Sequence, residues 1–227
     1  MRRCATTLEA EMTAEEHEFL LGLLRTHGVR GKHLEIGTAA GGTLRQMMRA
    51  FEDHDRPPFV VIDTMTYFPN QLEVVKQNLR DHGLDPAQVD FRAMPSAQAL
   101  QQAAERNERF DFMLIDGSHK VTGVMADLRW TRLLNVGGIV CLHDYTIAHK
   151  GVKYAADRFI AKHANYERLG CGGSVLALRK IAANPQPEVS VADRLFATFY
   201  YVPLQIERKV TNRGKRTWLG RRKTMSG

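Results

Sequence analysis

Apolar residues along the chain fall into two alternating patterns. Short, mainly apolar runs read as strands at Leu34 to Ile36, Phe59 to Ile62, Phe110 to Ile115 and Ile139 to Leu142, and the alternating Val89 to Arg92 as a further short strand. Between them, apolar positions recur every three or four residues, as in Phe19, Leu20, Leu23 and Leu24, then Leu44, Met47 and Met48, then Leu72, Val75 and Leu79, then Val124, Leu128 and Leu133. Those intervals predict amphipathic helices. Strands that are apolar throughout and alternate with helices predict a parallel sheet covered on both faces.

The ends of the pattern refine this picture. Thr13-Ala14-Glu15-Glu16 has the form of a capping box and opens the first helix. A helix from about Gly151 to Lys162 precedes two strand-like segments, Tyr166 to Gly170 and Ser174 to Arg179. So short a connection forces a hairpin rather than a crossover. The expected fold class is therefore α/β, a doubly wound, mostly parallel sheet with a C-terminal antiparallel hairpin. Residues 1–12 read as a lead-in and 13–183 as the domain. In 184–206 a linker, Asn184-Pro185-Gln186-Pro187, precedes a helix with Val191, Leu195, Phe196, Phe199 and Tyr200 on one apolar face. Residues 207–227 are a basic tail.

Composition adds location and charge. The 227 residues are 44% hydrophobic, as in ordinary globular proteins. There is neither an eighteen-residue apolar run nor a signal-peptide core, which gives a cytoplasmic expectation. Cys4, Cys141 and Cys171 are scattered without metal or redox spacing and read as reduced thiols. The net charge is +7, and the segment from Glu207 onward, with eight basic residues and one acid, carries all of it. Such a tail can dock on anionic lipid or RNA, or remain a solvated extension.

Candidate chemistry gathers at strand ends. Glu35-Ile36-Gly37-Thr38-Ala39-Ala40-Gly41-Gly42 is a strand, a glycine turn and a helix start. Its glycines let a ligand lie against the main chain. Glu35 would repel phosphate but attract an ammonium group. Asp63 closes the second strand, where it can accept ribose hydroxyls or cap a helix. Ser96 either faces the ligand or caps the helix over Ala97 to Ala104. Asp116 and His119 follow the fourth strand, and His143-Asp144 the fifth. Neighbouring parallel strands end about 5 Å apart, so Asp116 and Asp144 can share a ligand. Two such carboxylates repel unless something positive lies between them, and Mg²⁺ would suit their oxygens. Histidine is both neutral and basic near pH 7, which makes His119 a candidate base.

Leu114-Ile115-Asp116-Gly117-Ser118-His119, then Val124, Asp127, Trp130, Leu134, Gly137-Gly138-Ile139 and His143-Asp144, together with the glycine turn, resemble a known family. It is that of the class I S-adenosylmethionine-dependent methyltransferases with a Rossmann-like fold. The resemblance is to the group containing macrolide sugar O-methyltransferases and cephalosporin-hydroxylase-like proteins, and it spans about residues 13–180. It implies cofactor contacts at Glu35, Gly37, Thr38, Gly41, Gly42, Asp63, Ser96 and Asp116, a Mg²⁺ site at Asp116 and Asp144, and a base near His119. His143 stands where metal-dependent relatives carry an oxygen ligand, so it reads as a second base, a ligand for another metal, or a structural partner of the loop. The implied activity is methyl transfer to a hydroxyl of a small molecule such as a sugar. An RNA or lipid-linked glycan methyltransferase, or an idle cofactor-binding protein, are the rival readings, and a homo-oligomer is left open.

Overall fold

Seven strands and seven α-helices alternate along the chain in the computed structural model. It describes the backbone of residues 12–183 and 187–224, with side chains through Glu207 and at Lys209. The lead-in up to residue 11 and linker residues 184–186 lie outside the described residues, as do the tail's side chains other than Glu207 and Lys209. The helices are α1 (Ala14–Thr26), α2 (Gly42–Arg49), α3 (Gln71–Arg80), α4 (Ser96–Glu105), α5 (Val121–Asp127), α6 (Lys150–Lys162) and α7 (Val191–Thr224). The strands are β1 (His33–Ile36), β2 (Phe59–Asp63), β3 (Val89–Ala93), β4 (Phe110–Ile115), β5 (Leu134–Leu142), β6 (Tyr166–Gly172) and β7 (Val175–Lys180). They form one sheet in the order β3-β2-β1-β4-β5-β7-β6. The first five are parallel, and β7 runs antiparallel to both β5 and β6.

Successive residues of each central strand enter different cores. Leu34, Ile36, Val60, Ile62, Met113, Ile115, Val140 and Leu142 join the core beneath α5 and α6. Phe59, Val61, Phe112, Leu114, Ile139 and Cys141 join the opposite one, with Leu20, Leu24, Leu44 and Met48 of α1 and α2. A period of two with both faces buried is why these strands read as unbroken apolar runs. The Thr13 capping box is present, with the Glu16 N–H donating to Thr13 Oγ1 at 3.3 Å and the Thr13 N–H donating to Glu16 Oε2 at 2.7 Å.

Three features depart from the expected pattern. β5 begins at Leu134, so Asn135-Val136-Gly137-Gly138 is strand rather than a helix-closing turn. A register shift between Phe110 and Phe112, with Gly137 at φ +88°, bulges these residues out of the β4 register, which resumes at Ile139. After α5 a 3₁₀ turn, Leu128–Leu133, buries Trp130 and Thr131. Finally, α7 runs through Pro203 and past residue 207 without a break, and its apolar residues divide between two faces. Phe196 and Tyr200 pack on the core, whereas Val191, Leu195 and Phe199 are exposed. No described helix is long and apolar enough to cross a membrane.

Candidate active site

Parallel strands send their carboxyl ends to one edge, and there the loops after β1, β2, β3 and β4 enclose a cavity of about 720 Å³. Glu35, Gly37, Thr38, Gly42, Asp63, Ser96, Asp116, His119 and Asp127 all line it. The Gly37 N–H extends the ladder by donating to the Ile62 carbonyl at 2.9 Å, and its φ of +86° turns the chain away from the sheet. A Cβ at Gly37 would lie 2.5 Å from the Asp116 carbonyl oxygen, so only glycine lets the β1 and β4 ends meet. Gly41 serves packing instead. It has φ +86°, faces Val75 of α3, and does not line the cavity. From α3, Gln71 Nε2 donates to the Ala39 carbonyl at 3.1 Å and Asn78 Nδ2 to the Ala40 carbonyl at 3.0 Å. These two side chains fix the glycine loop.

The acids on this side of the cavity have little internal compensation. Glu35 is 1% exposed, and its Oε2, like Thr38 Oγ1, has no hydrogen-bond partner within the chain. Burial pushes its pKa up to about 8, the Thr38 side chain acts against the rise, and the Asp116 and Asp63 charges add to it. Asp63 accepts from the Thr38 N–H at 3.0 Å and the Met65 N–H at 2.7 Å, which joins two loops. It caps no helix, since Asn70 precedes α3. Nor is Ser96 an N-cap. Pro95 holds that position, and Ser96 Oγ accepts from Trp130 Nε1 at 2.9 Å. Beside it, Asp127 is pushed up to about 6 by burial, against a lowering hydrogen bond with Ser96.

Under β4 and β5 the acids are surrounded by imidazoles. His119 Nε2 lies 2.7 Å from Asp144 Oδ2, and His149 Nδ1 lies 3.0 Å from Asp144 Oδ1. Asp144 adopts φ +61° and does not cap α6, whose N-cap is His149. Burial would raise the Asp144 pKa, but the His119 hydrogen bond and the nearby histidines hold it below the usual range. His143 is 8% exposed and does not line the cavity. Its Nδ1 is 2.9 Å from Asp116 Oδ1 and its Nε2 is 3.6 Å from Glu16 Oε2. Burial opposes protonation there, yet Asp116, then Asp144 and Glu16, raise its pKa to about 9. Carboxylates on both sides of the ring favour its protonated form, and of the three expected roles the structural one suits this placement best. Glu16 in turn accepts from the Ser174 N–H at 2.9 Å, so α1 braces the β6–β7 turn against the site. Among the described residues, Asp116, His143 and Asp144, and separately His119, Asp144 and His149, bring three potential metal donors within 4.8 Å of one another.

Residues 34–145 match the family model described as a methyltransferase domain. The chain carries a class I S-adenosylmethionine-dependent methyltransferase domain. Solved structures agree on the fold. Cofactor-bound Rv0187 from MTB aligns with TM-score 0.62 at 20% identity, covering 78% of this chain and 84% of that one. The O-methyltransferase from Bacillus cereus in complex with SAH aligns with TM-score 0.61 at 19% identity, covering 75% and 83%. CalS11, a TDP-rhamnose 3′-O-methyltransferase of calicheamicin biosynthesis, aligns with TM-score 0.57 at 18% identity, covering 72% and 78%. A comparison with curated proteins returns no match.

The cavity of this methyltransferase suits its cofactor chemically. A buried acid with an orphaned oxygen calls for a cationic group, and S-adenosylmethionine brings an ammonium. His149, Gln71, Asn78 and the second task of Glu16 had no signal in the sequence. Each is a polar residue on an otherwise ordinary helix or loop, and only the folded contacts give it meaning.

Proposed function

We propose that the methyltransferase transfers a methyl group to a hydroxyl of a small acceptor, a sugar or a specialised metabolite, by general-base catalysis at His119. One observation carries this reading. The imidazole of His119 lines the cofactor cavity while its Nε2 is bound to the Asp144 carboxylate. In that arrangement Nε2 holds a proton toward Asp144, and Nδ1 remains as the acceptor of the hydroxyl proton. Asp144 fixes the ring and stabilises the imidazolium that forms. Glu35 binds the ammonium end of the cofactor and Asp63 accepts hydrogens from its ribose. When bound, S-adenosylmethionine supplies an electrophilic methyl group on a sulfonium. The cavity, about 720 Å³ in all, is compatible with a small second substrate beside the cofactor rather than a folded macromolecule.

A Mg²⁺ ion suits these residues poorly. A positive charge beside Asp116 and Asp144 is already supplied by His143, and imidazole nitrogens are softer ligands than Mg²⁺ prefers. The acid-base step therefore rests on the dyad. The test is S-adenosylhomocysteine formation across a panel of hydroxylated acceptors. Activity that survives His119→Ala, or that EDTA abolishes and Mg²⁺ restores, would overturn this reading.

A further inference from the structure

The longest helix leaves one side bare. Val191, Leu195, Phe199, Val202 and Ile206 are 57–73% exposed, and they account for five of the nine large apolar side chains exposed among the described residues. At 3.6 residues per turn their spacing places all five within an arc of about 80°. The opposite side is occupied. Ala197 is buried, Phe196, Tyr200, Tyr201 and Leu204 pack on the core, and Asp193 is ion-paired with Arg158 and Lys162. A continuous apolar stripe on a helix already anchored by its other face is a surface in search of an apolar phase.

Two further observations say what kind of phase. The same helix continues through Thr224, and the segment from Glu207 onward carries the whole +7 net charge of the chain, while the preceding body is neutral by the same count. The direction of α7 matters as well. Its start is tied to the end of α6 through Arg158 and Lys162, and Glu207 pairs with Lys150, the first residue of α6. α7 is thus antiparallel to α6, and because α6 follows the carboxyl end of β5, the basic segment begins at the edge where the cavity lies.

We propose that α7 is a peripheral membrane-docking helix that lies in the headgroup region of an anionic bilayer. The Val191-to-Ile206 stripe would sit about 5–10 Å into the interface, with the basic segment on the lipid phosphates. The observations favour lipid over RNA, because a nucleic acid would use the charge and leave the apolar stripe in water. They favour lipid over a second copy of the chain, because pairing the stripes of two copies would leave the basic segments without counter-charge. The inference stands independently of the chemistry assigned to His119.

Cosedimentation of the full chain with phosphatidylcholine vesicles, with and without phosphatidylglycerol, tests it. The expected result is binding to the mixed vesicles only, weakened at least about tenfold when salt is raised toward 1 M and the screening length falls to about 3 Å. Leu195→Asp with Phe199→Asp should weaken it at least about tenfold without altering thermal stability or S-adenosylhomocysteine binding, since both side chains are exposed. Replacing Lys209, Arg213 and Arg216 by Gln should also lower the affinity, at about fivefold per charge. Equal binding to neutral and mixed vesicles, or none to either, would overturn the proposal. So would self-association or RNA binding of the unmodified chain in the absence of any vesicle binding.

Discussion

Two pairs of acids share the carboxyl edge of one sheet, and the chain treats them in opposite ways. Glu35 and Asp63 face the cavity with no cationic side chain beside them, and Glu35 keeps an orphaned oxygen. Asp116 and Asp144 are held by three histidines at 2.7 to 3.0 Å. Burial is costly for any carboxylate, and there are two remedies: take up a proton until a cation arrives, or build the cation into the fold. In the first pair Glu35 uses the former and waits for a ligand, while Asp63 is held by two backbone N–H groups. In the second, His143 is the built-in cation, although burial still raises the Asp116 pKa, and Asp144 is free to position a base.

Substitutions on the two sides should therefore fail in different currencies. Replacing His119 by Ala should lower the methyl-transfer rate by about 10²- to 10⁴-fold, the usual contribution of a general base, while calorimetric affinity for S-adenosylhomocysteine stays within about twofold. A matched loss of affinity would mean that the ring binds cofactor instead. His143→Ala should cost about 3 kcal/mol of stability in denaturant melts, because it leaves Asp116 and Glu16 without their shared cation. His143 has its folded pKa raised from 6.5 to about 9, so its contribution is complete below 6.5 and lost as pH rises through 9. The difference in stability between the unmodified chain and His143→Gln should shrink over that window, and a constant difference would contradict the charged pair.

On the other side, Glu35→Gln should weaken S-adenosylhomocysteine binding about tenfold, the worth of one charge-assisted contact. Because Glu35 holds its proton up to about pH 8 in the free protein, ammonium binding must displace that proton. Affinity of the unmodified chain should therefore climb with pH toward 8, by up to about tenfold per unit, and the Gln variant should be flat. The smallest effect expected is from EDTA, which should leave turnover within about twofold, as the acids beside β5 already have their counter-charge.

Much of this was legible beforehand. The alternation of apolar runs with helical spacings indicated the sheet's parallel part, though not the order of its strands, and the brief Cys171-Gly172-Gly173 connection indicated the hairpin. The acids too could be located at strand ends. What could not be read was who neutralises whom. Glu16 arrives from the first helix and Trp130 from a 3₁₀ turn, and partnerships across 34 residues or more carry no local spacing signal, while His149 reaches the nearby Asp144 from a loop that has no periodicity to read. The first half of β5 was hidden for a related reason: glycines and an asparagine look like a turn until a register shift in the neighbouring strand accommodates them.

Glu16 belongs to an opening turn that capping alone would explain, yet the same carboxylate reaches the hairpin at Ser174 and the ring of His143. Shedding α1, by a protease or by a cloning boundary drawn at β1, would therefore do more than fray an end. It would strip one wall from the enclosure of His143 and let water in beside Asp116, so that damage some 127 residues away in sequence would surface as a disturbed reaction centre.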